Sequence, residues 1–275
     1  MVENTLIVIS GATGYIGSNL LSYLDKLKYE TILIGSNKKI INDKFAQYLP
    51  GDITKLIHHS KKNIYFFHLA TFYSKKDSDK TKIEEANINF GVEILEKLRQ
   101  NNLRKIIYTN TMFKFQEENK DYFYTRTKNK FTDLIKSELK LGEILSELYL
   151  DNTFGPNDTR NKIFNQIKTS IINELISPVA NKEAFINLSY IDDVIHCLVA
   201  EISPNFGESR LTSNRDYSTQ SIFDFLKYFH SKQKVDSSIL ISAETKYKNL
   251  INLPDVNSNF KESDFVNNLI NTFNS

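Results

Sequence analysis

The chain has 275 residues, of which 25% are charged and 40% hydrophobic, and its formal net charge is +2. This composition is typical of a globular protein long enough for one large domain or two closely coupled lobes. Lysines and acids are interspersed, which argues against a nucleic-acid-binding protein. A single cysteine, Cys197, excludes a disulfide framework, and no apolar run approaches the length of a membrane span. No signal-peptide pattern is found at the N-terminus, so we expect a cytoplasmic protein with no membrane partner.

Apolar strand patterns alternate with amphipathic helical patterns through the first half of the chain. The predicted strands are Leu6–Ile9, Thr31–Ile34, Ile64–Leu69, Lys105–Thr109 and Glu147–Leu150. The predicted helices between them are Ser18–Leu27, Ile83–Gln100 and Tyr122–Leu139. This alternation predicts βαβ units and therefore an α/β fold, a doubly wound parallel sheet of the Rossmann type covered on both faces.

The pattern changes at the turn signal Asn152–Pro156. We therefore predict a Rossmann domain over residues 1–152 and mainly a smaller substrate lobe over residues 153–275. An apolar helix within residues 190–202 is expected to pack back on the first domain. The helices predicted in this second half are Lys162–Leu175, Asp192–Ala200, Gln220–Phe229 and Phe260–Phe273.

The first strand runs into a glycine-rich turn with the sequence LIVISGATGYIG at residues 6–17. Gly11 permits a tight turn, Gly14 lets the backbone approach a pyrophosphate, and Gly17 lets helix and strand pack closely. The following helix directs free N–H groups and its positive dipole end at the anion. The motif predicts a dinucleotide cofactor bound at the N-terminus of the first helix.

The end of the second strand indicates which dinucleotide is bound. An acidic side chain at this place binds the ribose hydroxyls of NAD, but the sequence reads Gly35-Ser-Asn-Lys-Lys39. Ser36 and Asn37 can donate hydrogen bonds to a 2′-phosphate, and Lys38 or Lys39 can neutralise it. These features favour NADPH over NADH, although solvated turn lysines are the alternative interpretation.

Two further segments are predicted to line the cofactor. Asp52 and Ile53 flank the adenine, with the Asp52 carboxylate accepting a hydrogen bond from its amino group. Leu69, Ala70 and Thr71, at the end of the next strand, pass beneath the cofactor with small side chains.

A tyrosine and a lysine one helical turn apart are the predicted catalytic pair, Tyr124 and Lys128. Tyr124 would exchange a proton with the substrate oxygen, while Lys128 would lower the tyrosine pKa and bind the nicotinamide ribose. Thr111, just beyond a strand, would hydrogen-bond the same oxygen. Tyr228 and Lys232 have the same spacing, as chance allows among 14 tyrosines. Position favours Tyr124, which follows Thr111 by thirteen residues on the helix expected to line the cleft.

Other chemistries find no support in the sequence. It contains neither a G-x-S-x-G nucleophile motif nor a Walker lysine, and no spacing typical of a metal site.

Taken together, these features resemble the extended short-chain dehydrogenase/reductase family, the sugar-nucleotide epimerases, dehydratases and reductases, from residue 6 to about 200. The residues that carry the resemblance are Gly11–Gly17, Asp52-Ile53, His68–Ala70, Asn87-Ile88, Thr111, Tyr124, Lys128, Leu150–Pro156 and Tyr190–Val194. The resemblance implies a Rossmann domain, a C-terminal nucleotide-sugar lobe and homodimers formed through paired helices. It implies additional cofactor contacts at Thr13, Tyr15, Ile16, Asn87 and Thr109.

Within that family the likeness is strongest to the CDP-abequose and CDP-paratose synthases. Those enzymes are NADPH-dependent 4-ketoreductases that complete 3,6-dideoxyhexoses for bacterial O-antigens in lipopolysaccharide. The segments that carry it are His68–Tyr73, Asn110–Phe113 and Asn161–Phe164. It implies a CDP-, GDP- or dTDP-linked sugar substrate for O-antigen or capsule synthesis. The predicted substrate contacts are Thr71, Tyr73, Met112, Asn152, Lys162 and Arg215.

Departures from the family pattern narrow the reaction. Dehydratases follow the catalytic threonine with an acidic pair, but here Met112-Phe113 follows it, so dehydration is not expected. The usual arginine before Asn152 is Tyr149, and a usual Arg-Asp pair reads Ile186-Asn187. The alternative diphosphate contacts are Asn152, Lys162, Arg160, Arg210 and Arg215. Two alternatives to reduction remain: a 4-epimerase with trapped NAD, and a non-catalytic NADP-sensing protein on the same fold.

Overall fold

The computed structural model describes residues 4–41, 43–57, 60–179, 181, 184–202, 207–211, 215–244 and 262–275. The chain divides into two compact units. Unit 1 comprises Met1–Tyr149 and Ile195–Ser209, and unit 2 comprises Leu150–Val194 and Arg210–Ser275.

The strands in chain order are β1 Thr5–Ser10, β2 Glu30–Ile34, β3 Lys39–Ile41, β4 Phe45–Tyr48, β5 Asn63–His68, β6 Leu103–Thr111, β7 Leu145–Leu150, β8 Asn152–Phe154, β9 Phe185–Tyr190, β10 Gly207–Leu211, β11 Arg215–Ser218 and β12 Ser242–Glu244. The α-helices are α1 Tyr15–Lys26, α2 Ile53–Ile57, α3 Lys80–Glu84, α4 Phe90–Leu98, α5 Phe123–Ser137, α6 Ile163–Ile172, α7 Ile191–Ala200, α8 Thr219–Lys232 and α9 Glu262–Asn274.

An eight-stranded sheet in the order β10-β7-β6-β5-β1-β2-β4-β3 forms the centre of unit 1. β1 pairs in parallel with both β2 and β5, and the parallel pairing continues from β5 to β6 and from β2 to β4. Chain order therefore reverses direction on either side of β1. In doubly wound sheets this switch point opens a crevice at the carboxyl ends of the strands, where ligands bind. The predicted Rossmann-type fold is confirmed.

Helices α4 and α5 cover one face of this sheet. Ile94 and Leu98 lie one turn apart on α4, as do Phe131 and Ile135 on α5, and all four are fully buried in one cluster with Phe66 of β5. Burying each such side chain contributes roughly 2 kcal/mol. This packing fixes α5, which carries the predicted catalytic pair, against the sheet.

The helix predicted from Ile83 begins earlier, at Lys80, and contains a π-helical turn, Glu85–Asn89, between α3 and α4. A π turn holds one residue more than an α turn and changes the direction of the side chains that follow. Here it buries Asn87, which is 1% exposed.

Unit 2 contains a second sheet in the order β12-β11-β9-β8. β8 and β9 are parallel, while β9, β11 and β12 pair antiparallel. The core of the unit is rich in phenylalanine, and the ring of Tyr217 stacks on that of Phe265 at 4.2 Å between centroids. The helix predicted from Phe260 is described from Glu262; residues 260 and 261 lie outside the described part. None of the described helices is long and apolar enough to span a membrane.

Candidate active site

The glycine-rich turn after β1 has the geometry that a pyrophosphate requires. Gly11 has a φ of 78°, and a Cβ there would lie 2.5 Å from the Ala70 backbone nitrogen. A Cβ on Gly17 would lie 2.1 Å from the Gly11 carbonyl oxygen, so helix and turn pack as closely as a glycine permits. By contrast, the nearest atom to a Cβ on Gly14 is 3.4 Å away.

Gly14 is the N-cap residue of α1, and no side chain of the described residues caps this helix end. Thr13 and Gly14 are exposed, while Tyr15 and Ile16 are half-buried. The unfilled space at Gly14 and the uncapped helix N-terminus fit the diphosphate of a dinucleotide. The turn therefore fits the predicted dinucleotide cofactor.

Asn87 ties the segment after β5 to helix α5. Its Oδ1 accepts hydrogen bonds from the Thr71 hydroxyl at 3.0 Å and the Phe72 backbone nitrogen at 2.8 Å. Its Nδ2 donates to the Thr127 hydroxyl of α5 at 3.2 Å. The carboxamide of Asn87, a predicted cofactor contact, is thus engaged within the protein. It holds the Leu69–Thr71 segment beside α5.

The residues predicted to distinguish NADP from NAD are exposed at the end of β2. Ser36, Asn37 and Lys38 lie on the surface, but the Lys38 ammonium pairs with the Asp52 carboxylate at 2.9 Å. This contact lowers the pKa of Asp52. Asp52 also accepts from the Leu49 backbone nitrogen at 3.1 Å. Lys38 is therefore partly neutralised, and a carboxylate absent from the β2 sequence reaches this region from the loop after β4.

Two predicted contacts have buried side chains. Ile53, expected beside the adenine, belongs to the core of unit 1 and is 1% exposed. Met112, expected to contact the substrate, is fully buried in the short 3₁₀ turn after β6. Both are apolar side chains at the start of a helical turn that rests on the core. A ligand cannot reach either side chain in this conformation, so we do not propose a side-chain role for either.

Thr111 ends β6 with its hydroxyl oriented by the following turn. Its Oγ1 accepts a hydrogen bond from the Phe113 backbone nitrogen at 3.2 Å. Accepting this bond leaves the hydroxyl hydrogen available for donation. Thr109, two residues earlier on the same strand, is 8% exposed, as is Thr111.

Tyr124 and Lys128 lie one turn apart on α5, as predicted, with the Lys128 ammonium 6.0 Å from the Tyr124 ring centroid. It is closer to the ring of Tyr108, at 4.5 Å. Lys128 is 3% exposed, and none of the hydrogen bonds or ion pairs among the described residues involves its Nζ. Burial lowers the pKa of Lys128 to about 7.

The electrostatics of Tyr124 differ from the sequence expectation. We expected Lys128 to lower the tyrosine pKa, but burial dominates and raises the pKa of Tyr124, while the neighbouring Thr71 opposes the rise. The phenol is therefore protonated at neutral pH, so in this state it can act as a proton donor but not as a base. Aromatic rings surround it: Tyr73 meets it edge to face at 5.0 Å, and Phe113 lies at 6.5 Å.

The predicted substrate contacts of unit 2 have a mixed environment. Asn152 is half-buried and donates to Asp151 Oδ1 at 3.0 Å. Lys162 is exposed at the N-cap of α6, and Arg215 is exposed on β11, where it donates to the Ser242 hydroxyl at 2.9 Å. These residues offer cationic and amide donors on one unit. The competing pair, Tyr228 and Lys232, lies on α8 of the same unit, with Lys232 exposed.

Sequence reasoning missed a buried polar network behind Thr111. It contains Asn110 and Glu147, which hydrogen-bond at 2.5 Å and are both at most 3% exposed. The sequence feature that could have revealed this network is a carboxylate at the centre of the otherwise largely apolar strand Leu145–Leu150. Among the described residues, no cluster of His, Cys, Asp or Glu could hold a metal ion.

Comparison with known proteins identifies the family. The profile of the NAD dependent epimerase/dehydratase family matches residues 7–210. The chain belongs to this family. A curated relative, CDP-abequose synthase of Salmonella muenchen, is 24% identical over 247 residues, covering 85% of this chain and 84% of the relative. CDP-abequose synthase of Yersinia pseudotuberculosis is 23% identical over 211 residues, covering 74% and 75%.

Solved structures of the family share the fold. UDP-glucose 4-epimerase of Thermotoga maritima, solved with UDP-glucose, superposes with a TM-score of 0.75 at 18% identity, covering 98% of this chain and 97% of the epimerase. UDP-glucuronic acid 4-epimerase of Bacillus cereus, in complex with NAD, gives a TM-score of 0.69 at 19% identity, covering 82% and 83%. At these identities the likeness concerns the fold.

Proposed function

We propose that this chain reduces the C4 keto group of a nucleotide-linked deoxy sugar with NADPH. The observation that carries the proposal is the arrangement of three groups on unit 1: a threonine hydroxyl with a free hydrogen, a protonated phenol and a buried ammonium. Two curated relatives at about one-quarter identity are CDP-abequose synthases, which supports a nucleotide-sugar substrate. Their names also support a role in O-antigen synthesis.

Each of the three residues has a distinct role in the proposed reaction. When bound, the nicotinamide supplies the hydride. Tyr124 donates its phenolic proton to the oxygen that becomes the new hydroxyl. Thr111 donates a second hydrogen bond to the same oxygen and stabilises its developing negative charge. Lys128 adds a positive charge within the same site and binds the nicotinamide ribose.

Net reduction is favoured over dehydration because no acid follows Thr111. Elimination of water requires a general acid close to the sugar carbon that loses its hydroxyl. Met112 is buried, and Phe113 contributes only an aromatic ring 6.5 Å from that of Tyr124. The residues next to Thr111 thus supply no proton for elimination.

The choice of NADPH rests on the polar groups at the end of β2. Gly11, Gly14 and Gly17 would hold the diphosphate, and Ser36 and Asn37 would donate to the 2′-phosphate. The Lys38 ammonium would also attract the 2′-phosphate, but less strongly than a free lysine, because it pairs with the Asp52 carboxylate.

A 4-epimerase with tightly bound NAD is the second candidate. The observation that favours it is the Asp52 carboxylate, which lies beside Lys38 at the end of β2 and can accept from ribose hydroxyls. An epimerase oxidises and reduces the same carbon with one cofactor molecule, so it consumes no NADPH. The two candidates therefore differ in cofactor turnover.

Further parts of the proposal are a cytoplasmic location, a homodimer formed through paired helices, and a role in capsule or lipopolysaccharide synthesis. The nucleotide is proposed to be CDP, with GDP and dTDP as the alternatives to be assayed. Asn152, Lys162 and Arg215 are proposed to contact the nucleotide diphosphate, and Tyr73 the sugar.

The experiment follows NADPH oxidation at 340 nm with CDP-, GDP- and dTDP-linked 4-keto-6-deoxy sugars. We expect one nucleotide class to be reduced, and Tyr124→Phe to abolish the turnover. Tyr228→Phe is the matched control and should retain it. Tightly bound NAD in the purified protein, with no net oxidation of NADPH on any sugar, would replace the reductase by the epimerase.

A further inference from the structure

A carboxylate is buried directly behind the proposed catalytic residues. Glu147 of β7 is fully buried, with Asn110 of β6 and Thr132 of α5 as buried neighbours. Its Oε1 accepts from Asn110 Nδ2 at 2.5 Å and from the Thr132 hydroxyl at 2.9 Å. Burying a charge costs several kcal/mol, and a hydrophobic residue would fill the same position without this cost. The carboxylate therefore calls for a reason beyond packing.

The first consequence concerns the position of Thr111. Asn110 Oδ1 accepts a hydrogen bond from the Thr111 backbone nitrogen at 2.7 Å. Because the amino group of Asn110 donates to Glu147, its carbonyl oxygen is turned toward the Thr111 backbone nitrogen. The carboxylate thus fixes the amide orientation that holds the end of β6. Asn110 and Glu147 together therefore fix the backbone position of Thr111.

The second consequence concerns Lys128. Thr132 links the two residues, because its hydroxyl contacts both Glu147 and the Lys128 carbonyl oxygen, the latter at 3.4 Å. The neutral rings of Tyr108 and Tyr124 face the ammonium from β6 and α5. Glu147 is the negative group that raises the pKa of Lys128 against its burial.

Two further titratable groups lie close to this pair. Lys128 acts on His68 of β5, which is uncharged at neutral pH since burial lowers its pKa to about 3. Lys136 of α5 lies 3.6 Å from Glu147, but it is 42% exposed and already pairs with Glu208 of β10 at 2.7 Å. An exposed lysine with its own partner does not require a buried carboxylate.

We infer that Glu147 and Asn110 are positioning residues for the proposed reaction. Asn110 holds the backbone of Thr111, and Glu147 orients Asn110 and places a carboxylate in the buried network that Thr132 links to Lys128. This inference deepens the proposed function and rests on it for the catalytic roles of Thr111 and Lys128. The electrostatic link between Glu147 and Lys128 is testable in the protein without cofactor or substrate.

The test is Glu147→Gln, which keeps the shape and an accepting oxygen but removes the charge. Lysine labelled with ¹³C at Cε reports the titration of Lys128 by NMR, and its signal is assigned by its loss in Lys128→Arg. We expect the midpoint to fall by about one pH unit from the wild-type value. Glu208→Gln is the matched control. It also removes a carboxylate from Lys136, and it should leave the Lys128 midpoint unchanged.

A second variant predicts the opposite sign and perturbs only a half-exposed residue. Lys136→Met removes the cation that offsets Glu147, so the Lys128 midpoint should rise by some tenths of a pH unit. Identical Lys128 midpoints in the wild type, Glu147→Gln and Lys136→Met would overturn the inference. If Glu147→Gln lowers the melting temperature but does not change the Lys128 midpoint, the role of Glu147 is only structural.

Turnover provides the catalytic readout. With a midpoint about one pH unit lower, the protonated fraction of Lys128 falls roughly tenfold at pH 8 but less than twofold at pH 6. We expect the kcat/KM of Glu147→Gln to follow this pH-dependent loss. If no sugar is turned over even by the wild type, the proposed function fails, while the NMR titration still decides the link between Glu147 and Lys128.

Discussion

The buried ammonium of Lys128 makes the pH dependence of stability a test of the site. Burial lowers the pKa of Lys128 from 10.5 to about 7 in the folded protein. The unfolded chain therefore binds one proton more than the folded chain between pH 7 and 10.5, and stability rises with pH in this window. Each pH unit within it adds about 1.4 kcal/mol to the free energy of unfolding.

Lys128→Met removes this contribution. The variant should be more stable than the wild type below pH 7, where the wild type buries a charge. Its advantage should shrink by about 2 kcal/mol between pH 7, where Lys128 of the wild type is half protonated, and pH 9. Urea denaturation of both proteins at pH 6, 7.5 and 9 measures the difference.

Lys130→Met is the matched control, since Lys130 lies on the same helix but is 60% exposed. Its stability difference from the wild type should not change with pH. A difference between the Lys128→Met protein and the wild type that stays constant from pH 6 to pH 9 would refute the depressed lysine pKa.

Three other predictions follow from the cofactor cradle and the site. Gly17→Ala should weaken NADPH binding and cost about 1–3 kcal/mol of stability through its 2.1 Å clash, whereas Gly14→Ala should retain stability in urea titrations. Thr111→Ala should lower kcat roughly 100-fold, and Thr111→Ser should restore most of it, because a hydroxyl donor is what counts. Asp52→Asn frees Lys38 and should lower the KM for NADPH severalfold but not that for NADH. Lys38→Ala should have the opposite effect, and equal changes for both cofactors would contradict a contact with the 2′-phosphate.

The parts of the fold that were predicted from sequence are those with strong local patterns. β1 is buried at every residue, and its apolar run gave both the strand and the start of the glycine turn. The hairpin Lys39–Ile41 and Phe45–Tyr48 was not predicted. Its strands have three and four residues, and exposed β3 carries no apolar alternation. The π turn at Glu85–Asn89 was missed as well, because only tertiary contacts of Asn87 reveal it.

The residues of the candidate site were likewise predicted only where the sequence pattern is local. Tyr124 and Lys128 were found because their spacing is local to one helix. Asn110 and Glu147 contact each other across 37 residues, and no pattern in either segment reveals the other. The pairing of Lys38 with Asp52 was likewise not foreseen, although both had been placed at the cofactor. The hydrogen-bond and ion-pair partners of the predicted side chains are known only from the fold, because they lie far apart in the sequence.

An isotope experiment shows whether this protein transfers a hydride from NADPH to C4 of the sugar. The protein would be incubated with a CDP-linked 4-keto-6-deoxy sugar and each of the two stereospecifically C4-deuterated forms of NADPH. We expect one deuterium at C4 of the sugar from one of the two forms, equal in amount to the NADPH oxidised, and none with Tyr124→Phe. Recovery of the 4-keto sugar without deuterium at C4 from either form, and without NADPH oxidation, would contradict hydride transfer.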